Sequence, residues 1–159
     1  MGSLARPVPR RSCIIARDMT LAHRLGQAAA LLFLLGLLTG GGIAMVMTGA
    51  LDADVRAMVA SHLNALLGAF WIAAVAWSLP LLRYGELGQR RLALATVLPA
   101  YANWLVTAVK AVLRVHGVSL GGSAANSAVF VALNVAVVLP SLAAAAGWAL
   151  GFGPKRAPG

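Results

Sequence analysis

The sequence predicts an all-α integral membrane protein, a bundle of four transmembrane helices. Of its 159 residues, 60% are hydrophobic and only 11% are charged, whereas about 25% are charged in an ordinary soluble domain. A soluble chain of this length could not bury so much apolar surface in one core. The few charged residues also divide the chain into long apolar segments. A bilayer is the environment that accommodates both features.

Four apolar segments follow one another, each close to the ~20 residues that a helix needs to cross a bilayer. They are residues 25–51, 57–82, 92–109 with an extension to about 115, and 128–154. Residues 117–127 are rich in Gly, Ser and Asn and predict the loop before the fourth helix. The spans must be helical, because backbone groups in lipid need partners within the chain.

The two ends of the chain are predicted to lie outside the bundle. Residues 1–20 form a basic, proline-containing segment that predicts disorder, 21–152 form the membrane domain, and 153–159 form a basic tail. A signal peptide is disfavoured, because the first apolar run is too long and no small-residue cleavage pattern follows it. Either Met1 or Met19 could be the natural start.

The positions of Lys and Arg predict that both termini lie in the cytoplasm. Three of the 13 Lys and Arg residues, namely Arg56, Lys110 and Arg114, fall on one side of the bundle, and the other ten fall on the opposite side. Cytoplasmic segments hold the excess of positive charge, so we expect a multi-pass protein of the inner (cytoplasmic) membrane. No basic stripe interleaved with aromatic residues is present, which argues against a nucleic-acid partner.

Polar side chains inside the spans indicate the functional site, because such groups are costly in lipid. The second and third spans hold most of them: His62, Asn64, Tyr101, Asn103, Thr107 and Lys110. At a rise of about 1.5 Å per residue, His62 and Lys110 lie about 7–8 Å from the outer surface and Thr107 about 12 Å. The alternatives are structural: His62 and the asparagines could only link helices, and Lys110 could only snorkel outward.

Glycines inside the first span predict close helix packing. Gly36 and Gly40 are four residues apart, so they lie on one helix face and allow another backbone to approach. No nucleotide-binding glycine fingerprint, zinc motif or catalytic serine elbow occurs in the sequence. The single cysteine, Cys13, allows no disulfide within the chain.

Three stretches resemble a small bacterial membrane-protein family. They are residues 61–68 followed by Trp71 and Trp77, residues 101–107, and residues 31–40. The most specific parts are the His-Leu motif at His62 and the Tyr-x-Asn-Trp motif at Tyr101. The family contains hydroxylaminobenzene mutases and, more remotely, styrene oxide isomerases. The resemblance extends from about residue 23 to residue 150.

The resemblance implies a four-helix bundle that assembles as a homotrimer with haem b between subunits. His62 would bind the iron, which acts as a Lewis acid on a substrate oxygen without net redox change. Imidazole is a common iron ligand, and one protein ligand leaves the opposite coordination position open. The implied reaction is the rearrangement of a small apolar, aromatic epoxide or arylhydroxylamine that enters from the bilayer. The residues expected to act on the substrate are Asn64, Tyr101, Asn103 and Thr107.

Two positions depart from the family pattern. The family usually has asparagine six residues after the histidine, where this chain has Gly68. Asn64 lies one turn earlier on the same helix face and could supply the missing amide. The isomerase branch has a tyrosine at about the position of Thr107. Both differences leave the substrate open.

The outer basic residues are candidate partners for the two propionates of the haem. An unpaired charge in an apolar medium costs several kcal/mol, so Lys110, with Arg114 or Arg56, is expected to bind them. Snorkelling to lipid phosphates is the alternative. Two rival functions also stay open: a non-catalytic haem-binding membrane protein and a haem-free accessory subunit. His23 and His116 are poorly placed to be a second axial ligand.

Overall fold

The structure is a computed structural model that describes residues 10–153, and over that range it is helical apart from turns and loops. Four helices are long and apolar enough to cross a membrane, as the sequence predicts. Their bounds are α1 (Arg10–Met47), α2 (Val55–Ser78), α3 (Glu86–Leu113) and α4 (Ala124–Gly151). A 3-10 turn, Leu79–Leu81, follows α2, and a π-helical segment, Leu133–Val138, interrupts α4.

The helix ends follow local capping chemistry. Asp54 caps α2, since its Oδ1 accepts a hydrogen bond from the Ala57 N–H at 2.7 Å. Ser123 caps α4 in the same way, accepting from Asn126 N–H at 3.1 Å. This cap starts α4 at Ala124, so the loop predicted to extend to residue 127 is shorter than expected.

The structure describes the two terminal segments only in part. Residues 1–9 and 154–159 are outside it, and α1 extends back to Arg10, into the segment predicted to be disordered. The membrane-spanning part of α1 is Leu21–Met47. The disorder predicted for residues 1–20 and the basic tail predicted for 153–159 stay predictions.

The helices pack in chain order, α1 on α2, α2 on α3 and α3 on α4. The buried residues of α2 are mostly small, and Ala57, Ser61, Ala65 and Ala69 recur every four residues along one face. Small side chains let neighbouring backbones approach closely, which is how membrane helices gain packing energy without a hydrophobic driving force. The buried apolar residues form two clusters: a larger one joins α1, α2 and α3 and includes Leu32, Ile72 and Ala100, and a smaller one lies where α2 begins and α3 ends.

The two ends of the bundle are closed differently. One end of the bundle is where α1 begins and α4 ends. There α4 contacts the end of α2, because Trp148 Nε1 donates to Ser78 Oγ at 2.8 Å. Tyr84 OH also donates to Gly147 O at 2.6 Å. At the far end, where α2 begins and α3 ends, the Asp54 N–H donates to Ala111 O at 2.9 Å. There α2 is tied to α3.

Most of the helix surface is apolar and exposed. In the most apolar window of each span, only 11% of residues are buried inside the chain for α1 and 17% for α4. Leu38 and Trp77 are examples of large apolar side chains on this surface. Contiguous apolar surface of this extent needs lipid or other subunits around it.

Candidate functional site

His62 lies on the face of α2 that packs against α1. Its Nδ1 is 2.7 Å from the carbonyl oxygen of Gly36. A carbonyl oxygen only accepts hydrogen bonds, so Nδ1 is protonated and the lone pair of the neutral ring lies on Nε2. The half-buried ring therefore has Nδ1 held by α1, while Nε2 has no hydrogen-bond partner between residues 10 and 153 and can bind a ligand.

The glycines that the sequence predicts to pack closely are the ones that His62 meets. A Cβ on Gly40 would lie 3.2 Å from His62 Cε1 and 3.3 Å from Nδ1. A Cβ on Gly36 would lie 2.9 Å from Leu66 Cδ2 and 3.0 Å from Ala65 Cβ. The predicted close packing at this pair is confirmed.

The donor set suits haem better than a protein-ligated metal. Between residues 10 and 153, no group of three or more His, Cys, Asp or Glu residues could hold a metal ion. Haem iron takes four nitrogens from the porphyrin and needs only one protein ligand. A histidine whose second nitrogen donates to a backbone carbonyl is also the usual arrangement of a metal-binding imidazole. The residues present therefore fit the group that the family resemblance implies.

Asn64, Asn103 and Thr107 form a hydrogen-bonded cluster between α2 and α3. Asn64 Nδ2 donates to Asn103 Oδ1 at 3.1 Å and to Thr107 Oγ1 at 3.2 Å. The Thr107 hydroxyl is 3.5 Å from Asn103 Oδ1. Both amide hydrogens of Asn64 are thus used within the cluster. The Asn103 Nδ2 donates to no other residue of the described chain, so it is free for a ligand.

A pocket of about 300 Å³ opens beside this cluster. It is lined by α2, by α3 and by the part of α4 that follows the π-helical segment. The lining residues are Asn64, Leu67, Gly68, Trp71, Pro99, Ala100, Asn103 and Ser141. The walls are largely apolar, and the two asparagine amides and the Ser141 hydroxyl supply the polar groups. Such a pocket suits a small apolar molecule with one polar atom.

Gly68 brings α2 close to α3 beneath the pocket. A Cβ at this position would lie 3.2 Å from both Ala100 Cβ and Leu32 Cδ2. A side chain here, such as the asparagine that the family usually has, would therefore press on Ala100 and Leu32, which would have to move by a few tenths of an ångström. Asn64, one turn away, lines the same pocket, so an amide is nevertheless present on this face.

His62 and Asn64 face different sides of α2. Residues two apart on an α-helix are separated by about 200° around its axis. Accordingly, His62 contacts α1, whereas Asn64 contacts α3. The two features that the sequence analysis placed in one site are therefore on different faces within a single chain.

Tyr101 is directed away from the pocket. Its hydroxyl donates to the carbonyl oxygen of Ala28 on α1 at 2.8 Å. The neighbouring Trp104 likewise joins helices, since its Nε1 donates to Thr39 Oγ1 at 2.9 Å and its carbonyl accepts from Ser61 Oγ at 2.9 Å. Both aromatic residues of the Tyr-x-Asn-Trp motif hold α3 in place, and between them Asn103 faces the pocket.

The three basic residues of the far end have different surroundings. Arg114 forms an ion pair with Asp52. Lys110 is half-buried and has no ion-pair partner in the described part of the chain, and Arg56 is exposed at the start of α2. Asn103, Thr107 and Lys110 follow one another at spacings of four and three, so they share one face of α3. Lys110 is thus the basic residue that lies on the same helix face as the cluster.

The contribution of α4 to the pocket could not be predicted from the sequence. Ser141 gives no signal in the sequence, because serines are common in membrane helices and usually bond to their own helix. The Pro140 that precedes it was the available hint of an irregular helix. Asn134 donates to Phe130 O within α4 at 2.8 Å. His23 and His116 are exposed, in α1 and in the loop after α3.

Four helices long and apolar enough to cross a membrane, a histidine packed between two of them and a small, largely apolar pocket define a class of compact multi-pass membrane proteins. The styrene oxide isomerase family profile matches residues 21–152. The hydroxylaminobenzene mutase HabB of Ectopseudomonas oleovorans is 32% identical over 149 residues, covering 87% of this chain and 87% of the mutase. The chain therefore belongs to the styrene oxide isomerase family. No solved structure matches it.

Proposed function

We propose that this protein is a membrane isomerase that rearranges a small aromatic epoxide or arylhydroxylamine, with haem b bound by His62. Family membership and the similarity to a mutase support an isomerase or mutase function. The observation that supports haem most directly is the hydrogen bond from His62 Nδ1 to Gly36 O, which would leave the Nε2 lone pair available to iron. When bound, haem iron would supply a Lewis acid for the substrate oxygen.

The pocket between α2, α3 and α4 is where the chain would hold the substrate. An aromatic ring would lie against Trp71, Leu67 and Pro99, whose apolar surfaces line the pocket. The Asn103 Nδ2 would donate a hydrogen bond to the substrate oxygen. Asn64 keeps the Asn103 amide in this orientation, because it occupies the Oδ1 acceptor and leaves the donor side open.

The different faces of His62 and Asn103 support an assembled site. Both groups would act on one substrate if the α1–α2 face of one subunit meets the pocket of its neighbour. The expected homotrimer with haem b between subunits would supply this arrangement, since cyclic assemblies pair two different surfaces of the same chain. The large exposed apolar surface of α1 is available for such a contact.

Lys110 is the proposed partner of the haem propionates. It lies at the far end, as does His62, and its charge is unpaired within the described residues. The Arg114 guanidinium is partly occupied by Asp52, and Arg56 is the exposed alternative. Arginine offers a fork that matches a carboxylate, and lysine a point charge. If lysine instead snorkels to lipid phosphates, haem affinity will not depend on it.

The test is an absorption spectrum of the detergent-purified protein together with product analysis. The parent is expected to show a Soret band and to rearrange styrene oxide or hydroxylaminobenzene. His62→Ala is expected to lose both, whereas His23→Ala and His116→Ala, which remove exposed histidines, keep both. Unchanged haem content in His62→Ala would rule out the ligation.

Two other outcomes would favour the rival functions. A six-coordinate spectrum with no rearrangement of either substrate would indicate a non-catalytic haem protein. Absence of a Soret band in the parent, even after haem supplementation, would indicate a haem-free accessory subunit.

A further inference from the structure

Gly36 and Gly40 of α1 both lie next to the imidazole of His62, but in different ways. Gly36 contributes its carbonyl oxygen, 2.7 Å from His62 Nδ1. Gly40 has no side chain, and this leaves room for the ring. A Cβ at this position would lie 3.2 Å from His62 Cε1. The two residues are one helical turn apart, so the ring lies across the groove that they form on α1.

The two glycines differ in what else they touch. A Cβ on Gly40 would meet only atoms of the His62 ring within 4 Å. A Cβ on Gly36 would instead meet Leu66 and Ala65, which pack α2 against α1. Replacement of Gly40 therefore disturbs the histidine alone, whereas replacement of Gly36 disturbs helix packing.

We propose that Gly36 and Gly40 are positioning residues that fix the tautomer and the orientation of His62. The Gly36 carbonyl holds the proton on Nδ1, and the bare Gly40 backbone gives the ring room to reach that carbonyl. The lone pair of Nε2 is thereby available before any ligand binds. That this ligand is haem iron rests on the proposed function, whereas the tautomer is a property of the chain itself.

The hydrogen bond also affects the strength of the imidazole as a ligand. A histidine that donates its second N–H to an acceptor is a more basic ligand, because the bond moves electron density toward the metal-binding nitrogen. A weaker bond to Gly36 makes the imidazole a poorer donor. The ferrous iron–histidine stretching frequency then falls, and the reduction potential of the haem becomes more positive.

The experiment compares three alanine variants of α1 in the haem-loaded protein. Gly40→Ala is expected to weaken haem retention about tenfold, equivalent to about 1.4 kcal/mol, and to lower the iron–histidine stretching frequency. Gly41→Ala is the matched control, since no atom lies within 4 Å of a Cβ there, and it should leave both properties unchanged. Gly36→Ala should lower the thermal stability, a property that Gly40→Ala leaves unchanged.

A second measurement separates this inference from the proposed function. In a background with His23→Gln and His116→Gln, nitrogen NMR of labelled His62 reports its tautomer in the haem-free protein. The parent and Gly41→Ala should show a protonated Nδ1, and Gly40→Ala should show a mixture. A parent that binds no haem but shows this pattern would contradict the proposed function and support the inference.

Two results would overturn the inference. One is a parent His62 that carries its proton on Nε2. The other is a Gly40→Ala protein that cannot be distinguished from Gly41→Ala in the tautomer and, where haem binds, in the iron–histidine frequency.

Discussion

Asn103 combines a fixed orientation with a free donor, which makes it the most direct test of the pocket. Its Oδ1 accepts from Asn64 at 3.1 Å, and its Nδ2 is open to a ligand. We expect Asn103→Leu, which has nearly the same shape, to lower kcat about 100-fold, as loss of one donor to a developing negative charge does elsewhere. Steady-state kinetics of the rearrangement gives kcat and KM separately.

The matched control is Asn134→Leu. Among the described residues, the Asn134 side chain bonds only to Phe130 O in its own helix, so its loss should leave the kinetics unchanged. Equal rates for Asn103→Leu and the parent would mean that the pocket amide does not contact the reacting oxygen.

The proposed pairing of Lys110 with a propionate gives a second prediction at this scale. Lys110→Met keeps the length of the side chain and removes its charge, so haem affinity should fall roughly tenfold, about 1.4 kcal/mol. Haem titration of the purified protein measures it. Arg90→Met is the control, because Arg90 pairs with Glu86 at the opposite end of α3 at 2.7 Å. If Lys110→Met and Arg114→Met both bind haem as tightly as the parent, the pairing is wrong.

Individual residues show how far the sequence could predict the site. His62, Asn64, Asn103 and Thr107 stand out because polar groups in lipid are costly, and the last three do meet. Tyr101 was expected at the substrate, but its hydroxyl bonds to Ala28. Helical spacing predicts which residues share one face of a helix, but it does not predict which other helix packs against that face.

At the scale of helices, the four spans were predictable because charged residues mark where apolar segments end. The π-helical segment Leu133–Val138 was not predictable. Such segments depend on how a helix packs and often occur at functional sites, and the composition of these six residues is that of any membrane helix. This segment lies just before Ser141. Because the segment could not be predicted, the direction in which α4 presents Ser141 could not be predicted either.

Gly68 controls the approach of α2 to α3. We expect Gly68→Ala to destabilise the protein by about 1–3 kcal/mol, because the added methyl group would overpack against Ala100 and Leu32. The melting temperature in detergent measures the effect. In the control, Gly26→Ala, the new methyl group meets no atom within 4 Å, so it should not lower the melting temperature. A Gly68→Ala protein as stable as the parent would show that this helix contact is loose.

At the scale of the whole molecule, the distribution of Lys and Arg predicts both termini in the cytoplasm. Ten of the 13 such residues lie on the side of the termini, and Arg56, Lys110 and Arg114 lie on the other. Reporter fusions active only in the cytoplasm should give a signal at both ends, and a fusion in the loop between α3 and α4 should give none. A periplasmic signal from either terminus would overturn this orientation.

The last prediction concerns how the site is assembled from subunits. His62 contacts α1 and Asn103 contacts Asn64 on the other side of α2, so we expect one subunit to supply the histidine and its neighbour the pocket. Neither His62→Ala nor Asn103→Leu should rearrange substrate at the parent rate. Randomly mixed assemblies of the two should recover about a quarter of the parent activity. At each shared site, one subunit has an intact His62 in about half of the cases, and its neighbour independently has an intact Asn103 in about half.

A double variant provides the control for this mixing experiment. When the parent is mixed equally with a chain that has both substitutions, shared sites again give about a quarter of the parent activity, whereas sites within one subunit give about half. Two affinity tags, one on each chain, show that mixed assemblies form, and the assay uses the unselected mixture, for which these fractions hold. If the mixed single variants are no more active than each alone, while the double-variant mixture keeps half of the activity, each subunit has a complete site. His62 on α2 and Asn103 on α3 would then act from opposite sides of the α2 helix of one subunit.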